Sequence, residues 1–174
     1  APELIRLERT PDGPTNGDVT VTIQFKDDRR LASVEYSLDE ANWTASSGSV
    51  TITQNQTVYF RAFDVAGNES RVEYKVTNID RTPPDLPVIS ASTTTATNQP
   101  VTLTAVFAGD SIHNEYSLDG NTWNTYQSGV VVAENQTVYF RSFDAAGNES
   151  RAEYEVTNID RTPPDLPVIS ASTT

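Results

Sequence analysis

The chain contains no cysteine, no methionine and only one histidine among its 174 residues. Without cysteine it has no disulfides, no thiol nucleophile and no thiolate metal site. It also lacks an apolar run of membrane length, so we expect no direct insertion into a membrane. There is no initiator methionine and no signal-peptide pattern, and we therefore expect a piece of a longer chain.

Positive charge is scarce as well. Twelve Lys and Arg residues stand against 24 Asp and Glu residues, which gives a net charge of −12 and a pI near 4.3. This balance disfavours nucleic acid and anionic membrane surfaces as partners, whereas it attracts cations.

What the sequence does contain is a tandem repeat. NQTVYFRAFDVAGNESRVEYKVTNID at 55–80 returns as NQTVYFRSFDAAGNESRAEYEVTNID at 135–160, and NIDRTPPDLPVISASTT occurs unchanged at 78–94 and 158–174. Each repeat is read as a separate structural unit. The predicted organisation is repeat 1 at 1–81, repeat 2 at 82–162, and the truncated start of a following repeat at 163–174.

Each repeat contains about seven short segments rich in β-branched and aromatic residues, bounded by Gly, Asn, Asp and Pro. In repeat 1 these segments are 4–7, 19–25, 34–38, a short one near Trp43, 50–53, 57–64 and 72–77. Seven short strands in about 80 residues are typical of an immunoglobulin-like sandwich. The predicted fold class is all-β: two tandem immunoglobulin-like β-sandwiches joined end to end by a short Pro-rich linker.

Alternation within TVYFRAFD predicts which side chains form the core. Val58, Phe60 and Ala62 share one face of the strand, and Arg61 lies on the other. We expect the first set to face the core, because Arg61 would otherwise be buried without a partner. In the linker, Pro83, Pro84 and Pro87 favour an extended, semi-rigid connector.

The string TVYFRAFDVAGNES, followed by VTNIDRTPP, resembles the bacterial immunoglobulin-like tandem repeats that form stalks of large secreted surface adhesins. The resemblance covers both repeats. It implies an extender segment at the surface of a bacterium, with neighbouring repeats of the same chain as partners. It also implies a monomer, calcium at the domain junctions, and a host or surface ligand bound elsewhere in the parent protein. The first repeat departs from the pattern where ERTPDGPTNG replaces SASTTTATNQ.

Strand order also argues for calcium. The loop before the last strand lies at the pole where the chain enters the sandwich, so it faces the preceding linker. Six to eight oxygen ligands suit calcium better than magnesium. The predicted junction ligands are Asp80 and Asp85 from the linker with Asp144, Asn148, Glu149 and Asp110. The equivalent partial set in repeat 1 is Glu3, Asp64, Asn68 and Glu69, and a broken set at the far end is Asp160 and Asp165.

A purely structural alternative stays open for the same residues. DVAGNES and DAAGNES are good turn sequences, in which Asp caps the turn, Gly supplies a positive φ and Asn tolerates the left-handed region. In that case the linker acids are plain solvated charges.

Other functions have weaker support. Asn-x-Ser/Thr sequons begin at Asn42, Asn55, Asn68, Asn135 and Asn148, mostly within repeated turns that have a structural reason of their own. Trp43 and Trp123 lie beside a hairpin and are compatible with the alternative of a module that binds a glycan or host protein, although a packed or half-buried Trp is the more common role of such a residue. We expect no enzyme, since the single His113 has no counterpart in repeat 1.

Overall fold

The computed structural model describes residues 1–170, and within this range all regular secondary structure is β-strand. No helix in the described part of the chain is long and apolar enough to cross a membrane. Contacts divide the chain into two compact units. The first comprises residues 1–84 together with 143–149, and the second comprises 85–142 and the residues from Ser150 onwards.

Seven strands build the first sandwich. They are β1 (Glu3–Thr10), β2 (Val19–Lys26), β3 (Leu31–Ser37), β4 (Thr44–Ala45), β5 (Ser49–Ile52), β6 (Gln56–Asp64) and β7 (Glu69–Val76). They form a three-stranded sheet in the order β1-β2-β5 and a four-stranded sheet in the order β4-β3-β6-β7. All pairings within these sheets are antiparallel.

Seven further strands repeat the plan. They are β8 (Val88–Ala91), β9 (Val101–Val106), β10 (His113–Ser117), β11 (Asn124–Thr125), β12 (Val130–Val132), β13 (Gln136–Phe143) and β14 (Glu149–Val156). The sheets have the orders β8-β9-β12 and β11-β10-β13-β14. The prediction of two all-β sandwiches with seven strands each is confirmed. The following repeat predicted at 163–174 lies partly outside the described residues.

The first core is formed by alternate residues of facing sheets. Val58, Phe60 and Ala62 are fully buried, as predicted, and pack with Val19 and Val21 of β2. Their burial removes apolar surface from water and supplies the main favourable free energy of folding. The outward-facing Arg61 donates to Glu35 Oε2 from Nε at 2.7 Å and from Nη2 at 2.6 Å, so its charge is paired.

The second core keeps the valine and phenylalanine of the matching strand and adds a tyrosine. Val138 and Phe140 are fully buried, and the ring of Tyr126 meets Phe140 edge-on with centroids 5.9 Å apart. The Tyr126 hydroxyl also accepts a hydrogen bond from the backbone N–H of Ala105 at 2.9 Å. The Tyr126 side chain therefore packs in the core and also satisfies a backbone N–H of β9.

In each sandwich the chain enters at one pole and leaves at the other. In the first, the Ser70 hydroxyl donates to the Pro2 carbonyl, so β1 and β7 begin side by side. The segment after β7 bonds to Thr15, which follows β1. In the second, Asn158 after β14 donates to the carbonyl oxygens of Thr93 and Thr95 after β8.

Candidate functional site at the poles of each sandwich

The outgoing segment of the first sandwich, residues 78–80, is fixed by a side-chain clip. Asn55 Nδ2 donates to the Ile79 carbonyl at 2.7 Å, and Asn55 Oδ1 accepts from the Ile79 N–H at 3.0 Å. Ile79 itself is buried with 8% exposure. One amide side chain thus satisfies both backbone groups of a residue 24 positions away.

Two more contacts hold this segment. Thr15 forms an isolated parallel bridge with Ile79, in which Thr15 N–H donates to Asn78 O at 2.9 Å and Asp80 N–H donates to Thr15 O at 2.8 Å. The Asn78 side chain donates to the carbonyl oxygens of Pro11 at 3.1 Å and Gly13 at 2.7 Å. We call residues 78–80 with these partners the exit clasp.

The second sandwich has a matching exit clasp. Asn135 donates to Ile159 O at 2.9 Å and accepts from Ile159 N–H at 2.9 Å. Thr97 N–H donates to Asn158 O at 2.9 Å, and Asp160 N–H donates to Thr97 O at 2.8 Å. The same residue types therefore close the outgoing end of both repeats.

The arginine that follows the clasp differs between the repeats. Arg81 donates to Asn16 O at 2.9 Å, to Thr53 O at 2.7 Å and to Asp18 Oδ1 at 2.8 Å. Arg161 donates to Asn98 O at 3.2 Å. Pro100 stands in repeat 2 where Asp18 stands in repeat 1, so the ion pair of Arg81 has no equivalent there.

At the opposite pole, Asp64 organises the loop between β6 and β7. Its carboxylate accepts from the N–H groups of Ala66 at 2.8 Å and Asn68 at 2.9 Å, and from Asn68 Nδ2 at 2.7 Å. The hydrogen bonds from the Asn68 side chain and backbone lower the pKa of Asp64. Gly67 has φ of 85°, which a glycine adopts without strain.

Asp144 plays the same part in the loop between β13 and β14. It accepts from Ala146 N–H at 2.8 Å, Asn148 N–H at 2.9 Å and Asn148 Nδ2 at 2.8 Å. Burial opposes ionisation, but the hydrogen bonds from Asn148, Ala146 and Gly147 outweigh it and lower the pKa of Asp144. The Asn148 amide also donates to the Asp80 carbonyl at 2.9 Å, within the first unit.

These loops match the turn interpretation in two of its three details. Asp caps the loop and Gly supplies the positive φ, at 85° for Gly67 and 86° for Gly147. Asn68 and Asn148 do not adopt the left-handed region, since Glu40 is the one non-glycine residue with positive φ in the described chain. Their role is to donate the side-chain amide to the capping aspartate.

The remaining predicted calcium ligands are dispersed or paired. Asp80 and Asp160 accept from the N–H groups two residues ahead, Glu3 pairs with Lys26 at 3.1 Å, and Glu69 pairs with Arg71 at 2.8 Å. The side chain of Glu149 is half-buried. Seven of the predicted acids are exposed: Glu3, Glu69, Asp80, Asp85, Asp110, Asp160 and Asp165.

Within residues 1–170 no group of three or more His, Cys, Asp or Glu side chains is placed to hold a metal ion. The carboxylates of Asp64 and Asp144 accept hydrogen bonds from N–H donors of their own loops. The N-terminal ammonium group of Ala1 also lies 3.6 Å from Asp64 Oδ2. The described side chains do not form a calcium coordination set. The calcium site therefore stays a prediction.

Sequence reasoning missed two sets of residues at the poles. Asp27 and Asp28 line a concave surface with Asp64 and Asn68. The available signal was the loop KDDRRLASV at 26–34, which is two residues longer than its counterpart AGDSIHN at 108–114. The asparagine clip at Asn55 and Asn135 was also missed. Its signal was the retention of Asn in both NQT segments and both TNID segments.

No family model matches the chain. Over 78 residues it is 45% identical to three bacterial proteins: the PII-type proteinase and the PIII-type proteinase (strain SK11) of Lactococcus lactis subsp. cremoris, and the PII-type proteinase of Lacticaseibacillus paracasei. The match covers 42% of this chain and 4% of each proteinase. The chain thus spans a small fraction of the relatives it matches.

Three solved structures are similar to this chain in part. The fibronectin(III)-like modules of Clostridium thermocellum CbhA have a TM-score of 0.43 and 11% identity, and cover 88% of this chain and 94% of their own. Murine CEACAM1b has a TM-score of 0.45 and 10% identity, with coverage of 89% and 99%. The ectodomain (Ig1–Ig3) of mouse nectin-like molecule 4 has a TM-score of 0.40 and 16% identity, with coverage of 95% and 67%.

Proposed function

We propose that this chain is an extender segment of a large extracellular protein at a bacterial surface. The observation that carries the proposal is the path of the chain through each sandwich. It enters beside the start of the last strand and leaves at the opposite pole, where the exit clasp fixes it. Each repeat therefore adds its strand length to the reach of the chain.

Strand geometry gives the size of that contribution. β6 has nine residues, and at about 3.3 Å per residue such a strand spans roughly 30 Å. The linker after each clasp contains Pro83, Pro84 and Pro87, which restrict the connector to extended conformations. A restricted connector transmits this length better than a flexible one.

The surface location and the role as a spacer are supported by the resemblance to adhesin stalks and by the bacterial origin of the matching proteinases. The proteinase activity belongs to those proteins, and the short matching stretch does not bring it to this chain. We propose that the partners of each repeat are its neighbours in the same chain, that the segment is monomeric, and that the parent protein binds its host or surface ligand elsewhere.

The experiment compares the two-repeat chain with a chain in which residues 82–162 are present in several further copies. Small-angle scattering should show a maximum dimension that rises by a constant increment with each added copy, on the order of 30 Å. Sedimentation should show monomers throughout. A maximum dimension that stops growing as copies are added would overturn the extender role, because the repeats would then be folding back on each other.

Calcium stiffening of the junction is implied by the resemblance and is tested in the same samples. Thermal melting and scattering are measured in calcium and in chelator, with Asp144→Ala as the variant and Asp64→Ala as its counterpart in repeat 1. If calcium stiffens the junction, chelator lowers the melting temperature and broadens the scattering profile. If melting and dimension are unchanged, the junction depends on proline and hydrogen bonds alone, and the calcium prediction is wrong.

A further inference from the structure

Both repeats have a groove beside the tryptophan, on the outer face of the four-stranded sheet. Its volume is about 320 Å³ in repeat 1 and about 510 Å³ in repeat 2. In repeat 1 the side chains that line the groove include Glu40, Trp43, Tyr59, Arg71 and Glu73. In repeat 2 they are Asn121, Trp123, Tyr139, Arg151 and Glu153, with Gly120 in the turn beside them.

The turns beside the two grooves differ at three positions, since Gly120, Asn121 and Thr122 replace Glu40, Ala41 and Asn42. The first of these positions bears most directly on the tyrosine of each groove. Glu40 and Gly120 occupy the same place in the turn, with φ of 59° and 75°. Glu40 and Tyr59 both line the groove of repeat 1, and the neighbouring Glu40 carboxylate raises the pKa of the Tyr59 hydroxyl. Gly120 has no side chain, and a Cβ added there would lie 3.4 Å from the Tyr139 ring. No side chain at position 120 covers the Tyr139 ring, and Tyr139 is half-buried, as Tyr59 is.

Contacts with neighbouring side chains and backbone groups hold the walls of the repeat 2 groove in place. The guanidinium of Arg141 lies 4.0 Å from the centre of the Trp123 ring, and the same group is paired with Glu115 at 2.6 Å. The turn is held by Asp119, which accepts from the N–H groups of Asn121 at 2.8 Å and Thr122 at 2.6 Å. A ligand would meet a surface that is already arranged, which lowers the entropic cost of binding.

The lining suits a polyhydroxylated ligand. Trp123 and Tyr139 offer aromatic surface on which the C–H face of a pyranose packs. Asn121, Arg151 and Glu153 add both donors and acceptors at the rim, which matches hydroxyl groups that donate and accept. The net charge of −12 and the carboxylate of Glu153 disfavour acidic sugars.

We propose that the groove of repeat 2 binds a neutral saccharide of one or two units, and that Glu40 narrows the corresponding groove of repeat 1. This site is independent of the extender role, because it uses only the outer face of one sandwich. A spacer whose repeats differ in this turn would thus carry a sugar contact on one repeat and not on the other.

The test is an NMR titration of the two-repeat chain labelled with ¹⁵N. The probes are maltose, cellobiose, lactose and N,N′-diacetylchitobiose. At least one of them should shift the Trp123 indole N–H and the Gly120 amide with an affinity in the millimolar range, while the Trp43 indole stays unchanged. The proposal is overturned if none of the four shifts these signals, or if Trp43 responds as strongly as Trp123.

Variants that exchange the residues at positions 40 and 120 between the repeats test the role of Glu40. Gly120→Glu should weaken binding by at least about tenfold, and Glu40→Gly should give the Trp43 indole a response of its own. Because Glu40 already adopts a positive φ at this position, glutamate is compatible with the turn. Undiminished binding by Gly120→Glu would overturn the proposal.

If Gly120→Glu perturbs folding, Tyr139→Leu provides the second variant. It removes the aromatic platform from the outer face, and Tyr59→Leu in repeat 1 is its matched control. Loss of the sugar response in the first and its retention in the second supports the site. Retention in both contradicts it.

Discussion

The two repeats fix their outgoing segments with the same asparagines but complete their first sheets with different groups. In the first, the Ile23 N–H donates to the Gly48 carbonyl at 2.8 Å. In the second, the N–H of Ala105, at the matching position, donates to the Tyr126 hydroxyl at 2.9 Å. The sequence can change at such a place, because either a backbone carbonyl or a side chain can accept the hydrogen bond from the strand N–H. The paired N–H and C=O of Ile79 and Ile159 are each satisfied by a single asparagine, and that asparagine is retained.

The exit clasp gives the largest expected effect. Asn55→Ala and Asn135→Ala each leave a buried isoleucine with an unsatisfied N–H and C=O, which should cost about 2 kcal/mol of unfolding free energy. Denaturant unfolding measures the loss of unfolding free energy. Hydrogen exchange resolved by residue shows in which repeat the loss occurs. Equal losses are expected, and a loss confined to one variant would break the equivalence of the two clasps.

Tyr126→Phe comes next. It keeps the ring in the core but removes the acceptor for Ala105 N–H, and should destabilise repeat 2 by about 1 kcal/mol. Repeat 1 should be unaffected, because Gly48 O serves the equivalent N–H there. Tyr36→Phe, a core tyrosine of repeat 1, is the control for loss of a hydroxyl. The comparison fails if Tyr126→Phe costs no more than this control.

A smaller difference is expected at the two arginines. Arg81→Ala should destabilise repeat 1 more than Arg161→Ala destabilises repeat 2, by less than about 1 kcal/mol because the ion pair with Asp18 is exposed. Added salt should reduce the difference. Asp18→Asn should remove most of it, and an unchanged gap in that variant would assign the difference to the carbonyl contacts of Arg81.

The smallest expected effect is a pH dependence shared by both repeats. Backbone hydrogen bonds from Asn42 and Thr122 lower the pKa of Asp39 and Asp119 respectively well below the usual range. A lowered folded pKa means that each group stabilises its repeat above the unfolded pKa of about 3.9, and that this contribution is lost as the pH falls further. The loss of stability at acidic pH should be smaller in Asp39→Asn and in Asp119→Asn than in the unaltered chain, and by the same amount in both variants. Melting temperatures between neutral and acidic pH measure it.

The fold was predictable from the sequence because its signals are local. Alternation placed Val58, Phe60 and Ala62 in the core, and Gly67 marked its turn. The clip between Asn55 and Ile79 was not predictable, because it joins residues 24 apart through the geometry of the folded pole. Sequence also could not show that Asp64 and Asp144 direct their oxygens to N–H groups of their own loops, because those contacts depend on the folded shape of each loop.

The amide nitrogens of the five sequon asparagines have a consequence for producing the protein. Every one of them is a hydrogen-bond donor: Asn42 to Asp39, Asn55 to Ile79, Asn68 to Asp64, Asn135 to Ile159, and Asn148 to Asp80 and Asp144. An oligosaccharide attached to that nitrogen during synthesis would place its bulk where the partner must dock. In a eukaryotic secretory host, glycosylation of these sequons before the chain folds is therefore expected to hinder the contacts that these asparagines make, whereas a bacterial host without such a transferase leaves the amides unmodified.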